Sequence, residues 1–414
     1  MITPSFNLTA TERVLPKLAL DFTTASLDNR ITFTRTTGAS NPATYVNSSG
    51  VVTAATNNQP RFDYNPIALV CKGLLIEESR ENKVIYSEDL SNAVWTKSAT
   101  SVSTNAAVSP DGATTADKLV EDTSTGAHYT YEQKTGLTVT TYTWSIFAKA
   151  AGRNWIYLTE GNNVTATAWF DLANGVTGTV SGTGSPSATI TNYGNGWYRC
   201  TMTATIIASV FNCQVRMGTA NGTGSYTGDG TSGVYLWGGQ LEAGAFATSY
   251  IPTTTAALTR NADVATMTGT NFSDWYNASE GTFVTQGVFL GTGSGGATRV
   301  WQADAGGEGD RLTVITTSTS FRCIDTVSSS SQADFSVSYG GASIQNSGFA
   351  YKVNNIQLSA NATLGAGDTS CNVPTVSILR LGASFSGVYG ASLIRKLSFF
   401  PLRLSNAELQ AFTN

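Results

Sequence analysis

Short segments in which apolar and polar residues alternate recur along most of the chain, separated by turns rich in Gly and Asn. In the first half they include YTWSIFAKA (142–150), GWYRCTMTATI (196–206) and FNCQVRMG (211–218). In the second half they include GTFVTQGVFL (281–290) and SLIRKLSFFP (392–401). A period of two residues is typical of β-strands, and several short strands at this spacing indicate β-sandwiches. The sequence therefore predicts an all-β chain.

The strand-like segments fall into two blocks behind a leading piece. Residues 1–80 are predicted to form an extended N-terminal attachment and clasp segment, with residues 81–255 and 256–414 forming two β-sandwiches. The chain closes with LSNAELQAF, in which Ser405 and Glu408 have the spacing of a helix capping box. The side chains expected to pack this short C-terminal helix against the second sandwich are Leu404, Ala407, Leu409 and Phe412.

The weak and nearly balanced charge excludes some classes of partner. Charged residues make up 13% of the chain and the formal net charge is −4, so attraction to nucleic acid or to an anionic membrane surface is not expected. The first residues lack the pattern of a signal peptide, and no apolar stretch is long enough for a membrane span. None of the five cysteines forms a CxxC motif, and Cys200 and Cys213 lie in apolar alternation, which predicts core positions.

Few residues suggest catalysis or metal binding. The single histidine, His128, lies between a turn and a strand and is expected at the surface or at a strand edge, without the partners of a nucleophilic site. A pair of carboxylates could hydrolyse a glycoside, but Asp304, Glu308 and Asp310 lie around a Gly-rich turn rather than along one strand. They are interpreted as a solvated hairpin or, alternatively, as a Ca²⁺-binding loop. No cofactor and no enzymatic activity are expected.

Strand parity indicates a polar and aromatic outer face on the first sandwich. Alternate residues of a strand point to opposite faces, and in three strands, 154–161, 196–206 and 211–218, one set is apolar and the other is aromatic or polar. If these three strands share a sheet, its outer face brings aromatic rings together with amide and guanidinium groups. Sugars bind to this mixture, because their CH faces stack on rings while polar groups bond their hydroxyls. The alternative is that the rings pack against a neighbouring module or subunit. The predicted carbohydrate-binding residues are Trp155, Tyr157, Trp197, Arg199, Gln214 and Arg216.

An ordered set of motifs gives the chain a resemblance. PRFDYNP and GLLIEESR, followed by NGWYR, LWGGQLE and ATSYIPT, resemble tailed-bacteriophage virion proteins that carry modules similar to carbohydrate-binding modules. EGTFV, RVWQAD, GFAYK and RLSNAELQAF are similar to the concanavalin-like or laminin-G-like lectin domain that often follows in such proteins. The resemblance covers about residues 60–414 and implies two sandwiches of jelly-roll or concanavalin type.

In such proteins the GLLIEESR segment leads directly into the first sandwich, so the resemblance implies a structural clasp. Leu74, Leu75 and Ile76 would be buried, while charged neighbours would hold another module or subunit. Tyr235 and Trp237 point away from the predicted core near the exit of the first sandwich and are placed in an interface for that reason. The predicted interface residues are Arg61, Asp63, Tyr64, Glu77, Glu78, Arg80, Tyr235 and Trp237.

The resemblance implies a non-enzymatic virion protein of a tail fibre, head fibre or baseplate, assembled in the host cytoplasm. Its partners would be other virion proteins, further copies of itself and a glycan of the host surface, and phage fibres usually contain three copies. Weak binding by each copy would add up through avidity. Two alternatives are a purely structural virion protein, whose outer rings are all interface, and a glycan-degrading depolymerase.

Overall fold

The computed structural model describes residues 15–35, 43–161, 165–291, 297–317, 319–339, 344–387 and 390–414. Within these ranges the chain forms antiparallel β-sheets, so the predicted all-β fold is confirmed. Among the described residues, no helix has both the length and the apolar character needed to cross a membrane.

The strands are numbered in chain order. The first seven are β1 (Leu18–Asp21), β2 (Thr32–Thr34), β3 (Ala43–Val46), β4 (Val52–Ala55), β5 (Arg61–Tyr64), β6 (Cys71–Glu77) and β7 (Arg80–Asn82). The next fourteen are β8 (Thr96–Ser98), β9 (Thr100–Ala107), β10 (Ala116–Glu121), β11 (Thr125–Gly126), β12 (Tyr129–Thr135), β13 (Thr141–Ala151), β14 (Trp155–Thr159), β15 (Thr167–Asp171), β16 (Val176–Ser181), β17 (Ser187–Gly194), β18 (Trp197–Thr205), β19 (Val210–Gly218), β20 (Tyr226–Thr227) and β21 (Gly233–Ala243). The last twelve are β22 (Leu258–Arg260), β23 (Val264–Thr268), β24 (Glu280–Gly291), β25 (Thr298–Asp304), β26 (Arg311–Thr316), β27 (Ser320–Val327), β28 (Ser330–Ser338), β29 (Gln345–Lys352), β30 (Gln357–Ala360), β31 (Thr363–Leu364), β32 (Ile378–Leu381) and β33 (Ala391–Phe400).

The first sandwich is built from two six-stranded sheets. One has the order β17-β18-β13-β21-β10-β9, and the other has the order β16-β15-β14-β19-β12-β8. Their facing sides enclose a core that includes Trp144, Ile156 and Phe170, together with the predicted core residues Cys200 and Cys213. The outer faces of the two sheets point in opposite directions, which decides where functional residues can meet.

The second sandwich is larger. One sheet has the order β31-β30-β29-β24-β33-β6-β5, with β1 also paired with β33, and the other has the order β2-β23-β32-β25-β26-β27-β28. Phe283 and Trp301 stack between them with ring centroids 4.1 Å apart, and Phe399 packs beside Phe283. The core of this sandwich is therefore rich in aromatic side chains.

Strands β1, β2, β5 and β6 of the N-terminal segment belong to the second sandwich, which corrects the expectation of an extended lead, whereas β3 and β4 form a separate hairpin that packs on the first sandwich through Val52. β1 pairs with β33 from Leu18↔Phe399 onwards, and β6 pairs with the other end of the same strand. Leu18, Leu74 and Ile76 are buried in the core of that sandwich. These pairings join residues more than 300 positions apart in the chain, so no local pattern indicates them. The segments 1–14 and 36–42 lie outside the described residues.

Two α-helices and one 3₁₀ helix complete the described structure: α1 (Thr270–Ser273), α2 (Asn406–Phe412) and the 3₁₀ turn Phe22–Thr24. The predicted capping box at the start of α2 is confirmed, with Ser405 and Glu408 bonding each other's backbone N–H groups. Leu404 and Leu409 are buried as predicted, and the ring of Phe412, although 44% exposed, packs on that of Phe400 with 4.9 Å between centroids. Ala407, by contrast, is exposed.

Candidate functional site

A row of aromatic and arginine side chains crosses the outer face of the sheet β16-β15-β14-β19-β12-β8. The register places Tyr129 of β12 opposite Arg216 of β19, Arg216 opposite Tyr157 of β14, and Tyr157 opposite Trp169 of β15. Because directly opposite residues of antiparallel strands lie on the same face, these four side chains form one continuous row.

The side chains of this row stack on one another. The guanidinium carbon of Arg216 lies 4.2 Å from the centroid of the Tyr129 ring and 5.9 Å from that of Tyr157. Tyr157 stacks on Trp169 with 4.1 Å between centroids and 22° between planes. Cation–π and ring stacking of this kind hold each side chain in one orientation. The row is therefore a rigid surface.

A second row, parallel to the first, is more polar. It consists of Tyr131, Gln214, Thr159 and Thr167 on the same four strands. Oε1 of Gln214 accepts a hydrogen bond of 2.8 Å from Nε of Arg216, so Gln214 fixes the arginine from the side. We call the surface formed by Tyr129, Tyr131, Trp155, Tyr157, Trp169, Gln214 and Arg216 the aromatic face.

Only part of the aromatic face is open to solvent. Tyr157 is 9% exposed, and a Cβ atom at Gly224 would lie 2.5 Å from its hydroxyl oxygen, so the loop after β19 covers this ring closely. Gln214 is also buried. Trp155 and Arg216 are half-buried and reachable. The predicted ligand residues Tyr157 and Gln214 therefore support the surface from beneath, which corrects their expected exposure.

Trp197 and Arg199 do not belong to this surface. Both lie on β18, which is part of the other sheet, so their outward side chains point to the opposite side of the sandwich. Trp197 is buried with Phe147, Trp237 and Tyr250, and its Nε1 donates a 2.9 Å hydrogen bond to the carbonyl of Val108. The six residues predicted as one site are therefore divided between two faces, because the sequence does not show which strands share a sheet.

Two tyrosines of the aromatic face were not predicted as site residues. Tyr129 and Tyr131 are half-buried on β12, with ring centroids 6.2 Å apart. In the sequence, the alternation in YTYEQ (129–133) places both rings on the face opposite Thr130 and Glu132. Strand parity in this segment therefore indicates that both rings point outwards.

The clasp segment forms a buried charge network at the junction of the two sandwiches. Arg61 pairs with Glu77 and with Asp263, and Arg35 pairs with Asp263 at 2.9 Å. Arg260 also pairs with Glu77, at 3.0 Å. Burial favours the neutral form of Glu77, but Arg260 and Arg61 outweigh this and lower its pKa to about 2. Glu77 is therefore ionised between two buried guanidinium groups.

The same network reaches the exit of the first sandwich. The carboxylate of Glu77 accepts hydrogen bonds of 2.7 Å from the backbone N–H and from the hydroxyl of Ser249. Arg61 donates a 2.7 Å bond to the Ser249 hydroxyl. The clasp thus connects strands of the second sandwich to the chain segment that leaves the first.

The other charged residues among those predicted as interface make contacts within the same chain. Asp63 accepts a 2.8 Å bond from the backbone of Val46 and pairs with Lys72. Nε of Arg80 donates a 2.7 Å bond to Glu78, and its guanidinium lies 4.8 Å from the ring centroid of Phe246. The half-buried side chains are Tyr64 and Tyr235, and the fully buried ring is Trp237.

The residues considered for catalysis have structural partners. His128 is buried, not at the surface, with Nδ1 2.9 Å from the carbonyl of Ala99. Asp304 is buried and bonds Arg380 at 2.7 Å, which corrects its assignment to a solvated hairpin. Glu308 pairs with Arg311. Within the described ranges, no group of three or more His, Cys, Asp or Glu side chains has the arrangement of a metal site.

Comparison with known proteins finds only limited structural similarity. No protein-family model and no curated protein matches the chain. Among solved structures, it is similar to the CBM40 of the Ruminococcus gnavus IT-sialidase bound to α2,3-sialyllactose, with a TM-score of 0.30 and 15% identity over 33% of this chain and 84% of that one. It is also similar to the receptor-binding domain of the botulinum neurotoxin C/D mosaic serotype, with a TM-score of 0.29 and 9% identity over 36% of this chain and 40% of that one. Scores this low support no statement about function.

Proposed function

We propose that this chain is a non-catalytic, carbohydrate-binding protein of a tailed-phage virion, and that the aromatic face of its first sandwich binds a glycan of the host surface. The phage assignment rests on the ordered motifs of the sequence. The binding assignment rests on the aromatic face. Each copy would bind weakly, and several copies on one particle would bind strongly through avidity.

The observation that carries the binding proposal is the set of half-buried rings around one fixed guanidinium group. Tyr129 lies directly opposite Arg216, while the half-buried rings of Tyr131 and Trp155 lie one pair further along on the two neighbouring strands. Arg216 is held by Gln214 and by the Tyr129 ring. Sugar CH groups stack on such rings, while guanidinium donors bond sugar hydroxyls. A preorganised surface binds with a smaller loss of conformational entropy than a flexible one.

A glycan array probed with the full chain clustered on beads tests the proposal. We expect a set of bound glycans whose signal falls strongly in Trp155→Ala. Phe412→Ala serves as the control, because Phe412 is also an exposed ring but lies on α2 at the far end of the chain. Absence of binding by the clustered wild-type chain to any glycan or to whole host cells would overturn the proposal.

A purely structural role is the second candidate, and one observation favours it. Trp197 and Trp237, which parity places on an outer face, are buried in the cluster that also contains Val52 of the N-terminal hairpin. Aromatic side chains on an outer sheet face of this chain therefore do pack against another segment. The structural role predicts that Trp155 and Tyr131 also become buried in the assembled particle, which protection of these rings from oxidative footprinting would reveal.

The depolymerase alternative is tested with the same glycans. We propose binding without hydrolysis, so glycans recovered after long incubation with the chain should have unchanged length and no new reducing ends. Shortened products would show that the chain is a glycanase, whose catalytic residues would be a pair of carboxylates and not the aromatic face.

A further inference from the structure

A cleft lies on the opposite side of the first sandwich from the aromatic face. Its floor is the outer face of β17 and β18, and its walls are the β3–β4 hairpin, part of β6, and the segment 245–250. The cavity has a volume of about 400 Å³, within the range of about 300–1,000 Å³ that small-molecule sites occupy. The cleft therefore has the size of a ligand site.

Arg199 lies in the floor of this cleft and is only 7% exposed. Its Nη1 donates a 2.7 Å bond to the carbonyl of Thr248 and its Nη2 a 3.0 Å bond to the hydroxyl of Ser145. Its Nε is buried and has no hydrogen-bond partner. No described carboxylate lies within ion-pair distance of Arg199. A buried cation without a counter-charge is costly, and a bound anion would offset that cost.

The other charges that line the cleft are already neutralised. Lys72 pairs with Asp63, and Glu77 pairs with Arg61 and with Arg260 at 3.0 Å. Among the charged side chains that line the cleft, Arg199 therefore lacks an oppositely charged partner within the described chain. An anionic ligand would supply one. Guanidinium groups form strong, directional hydrogen bonds with carboxylates.

The rest of the floor is lined with hydroxyl groups. On β17 and β18 the register pairs Ser187 with Thr203 and Thr189 with Thr201, and it places Thr191 opposite Arg199. Each hydroxyl can both donate and accept a hydrogen bond, as the hydroxyls of a sugar do.

Aromatic surface in the walls completes the lining. Tyr45, Tyr193 and Phe246 are half-buried residues of the same cleft. Rings stack on the CH faces of a saccharide. Together with the hydroxyl groups of the floor, they make the lining suited to a polyhydroxylated ligand.

We infer that this cleft is a second saccharide site and that it takes a sugar bearing a carboxylate, which Arg199 binds. The inference rests on the proposed glycan-binding function and extends it by a separate site and a class of sugar. The two sites lie on opposite faces of one sandwich, so they can be disabled independently.

In the test, the full chain is applied to an array of oligosaccharides that contain uronic acids or other sugar acids. Each acid is printed beside its methyl ester. The expected result is binding to at least one acidic saccharide that falls at least tenfold in the methyl ester. Arg199→Gln should remove this preference. Ala245→Trp should block binding without touching Arg199, because Ala245 is an exposed residue of the cleft wall.

The matched control is Ser103→Trp, which adds the same ring at an exposed position of β9, at the other edge of the same sheet. Binding that survives Ala245→Trp, or equal binding to acids and methyl esters, would overturn the inference. Binding lost in Trp155→Ala but unchanged in Ala245→Trp would support the aromatic face alone. The reverse pattern would support the cleft and overturn the aromatic face.

Discussion

At the scale of single residues, the buried charges of the junction are the clearest consequence of the clasp sequence. We predict that Glu77→Gln lowers the free energy of unfolding by about 3–5 kcal/mol, since it leaves Arg61 and Arg260 buried without their shared counter-charge. Because the pKa of Glu77 is lowered from 4.5 to about 2 in the folded protein, this stability is present above pH 4.5 and is lost as the pH falls towards 2. Urea unfolding at neutral pH measures the effect.

The control for this substitution is Asp334→Asn. Asp334 pairs with Arg322 on the surface, where their side chains are 37% and 41% exposed, and exposed pairs contribute about 1 kcal/mol or less. Equal losses in the two variants would contradict the special role of the junction network.

A second carboxylate has the opposite pH dependence. Asp325 is buried, neither carboxylate oxygen has a hydrogen-bond partner, and burial together with Asp368 raises its pKa to about 7 from 3.8. The folded protein therefore holds this proton more tightly than the unfolded chain, and stability is lost as the pH rises from about 4 to 7. The slope is about 1.4 kcal/mol per pH unit in that window.

We predict that Asp325→Asn removes this slope, so that the variant gains stability over the wild type at pH 8 relative to pH 4. Thermal unfolding across this pH range, with Asp334→Asn as an exposed comparison, measures the difference. A constant difference between Asp325→Asn and the wild type at every pH would show that the buried carboxyl does not titrate in this window.

At the scale of elements, the alternation of residues predicts which way each side chain points, but it does not predict which strands are neighbours. Cys200 and Met202 point into the core and Trp197 and Arg199 point outwards, as parity indicates. That β18 lies in a different sheet from β14 depends on pairings between distant segments, which a local period does not contain. This explains why the predicted site combined residues of two faces.

The same limit applies to the N-terminal strands. The burial of Leu74, Leu75 and Ile76 was predicted and is confirmed, yet the partner strand β33 lies near the other end of the chain. A Cβ atom at Gly73, where φ is +126°, would lie 2.4 Å from the carbonyl oxygen of Ile394, which shows how closely these strands approach. The glycine of GLLIEESR therefore has a packing role that only the pairing reveals.

A fragment experiment follows from these pairings. We predict that residues 83–255, which retain every strand of both six-stranded sheets, fold alone. Residues 81–414 should lack a stable second sandwich, because β1, β2, β5 and β6 and the core residues Leu18 and Ile76 are missing. Thermal unfolding followed by circular dichroism compares the two fragments with the full chain. Two native-like transitions in 81–414 would contradict the assignment of the N-terminal strands.

At the scale of the whole molecule, the two faces of the first sandwich are used differently. The sheet containing β13, β18 and β21 meets the N-terminal hairpin through Val52, Phe147 and Trp237. The opposite sheet carries the aromatic face, and none of its strands pairs with a described strand of the second sandwich. The aromatic face therefore takes no part in the described strand pairing of the second sandwich.

Calorimetric titration of the strongest array glycan into the full chain tests most directly whether the aromatic face binds a glycan. We predict that Tyr131→Ala combined with Trp155→Ala weakens binding by about 1–3 kcal/mol, roughly five- to 150-fold, because each ring contributes about 0.5–1.5 kcal/mol of stacking. The unfolding temperature should stay close to that of the wild type, since both side chains are half-exposed. An unchanged dissociation constant in a folded double variant would contradict the claim.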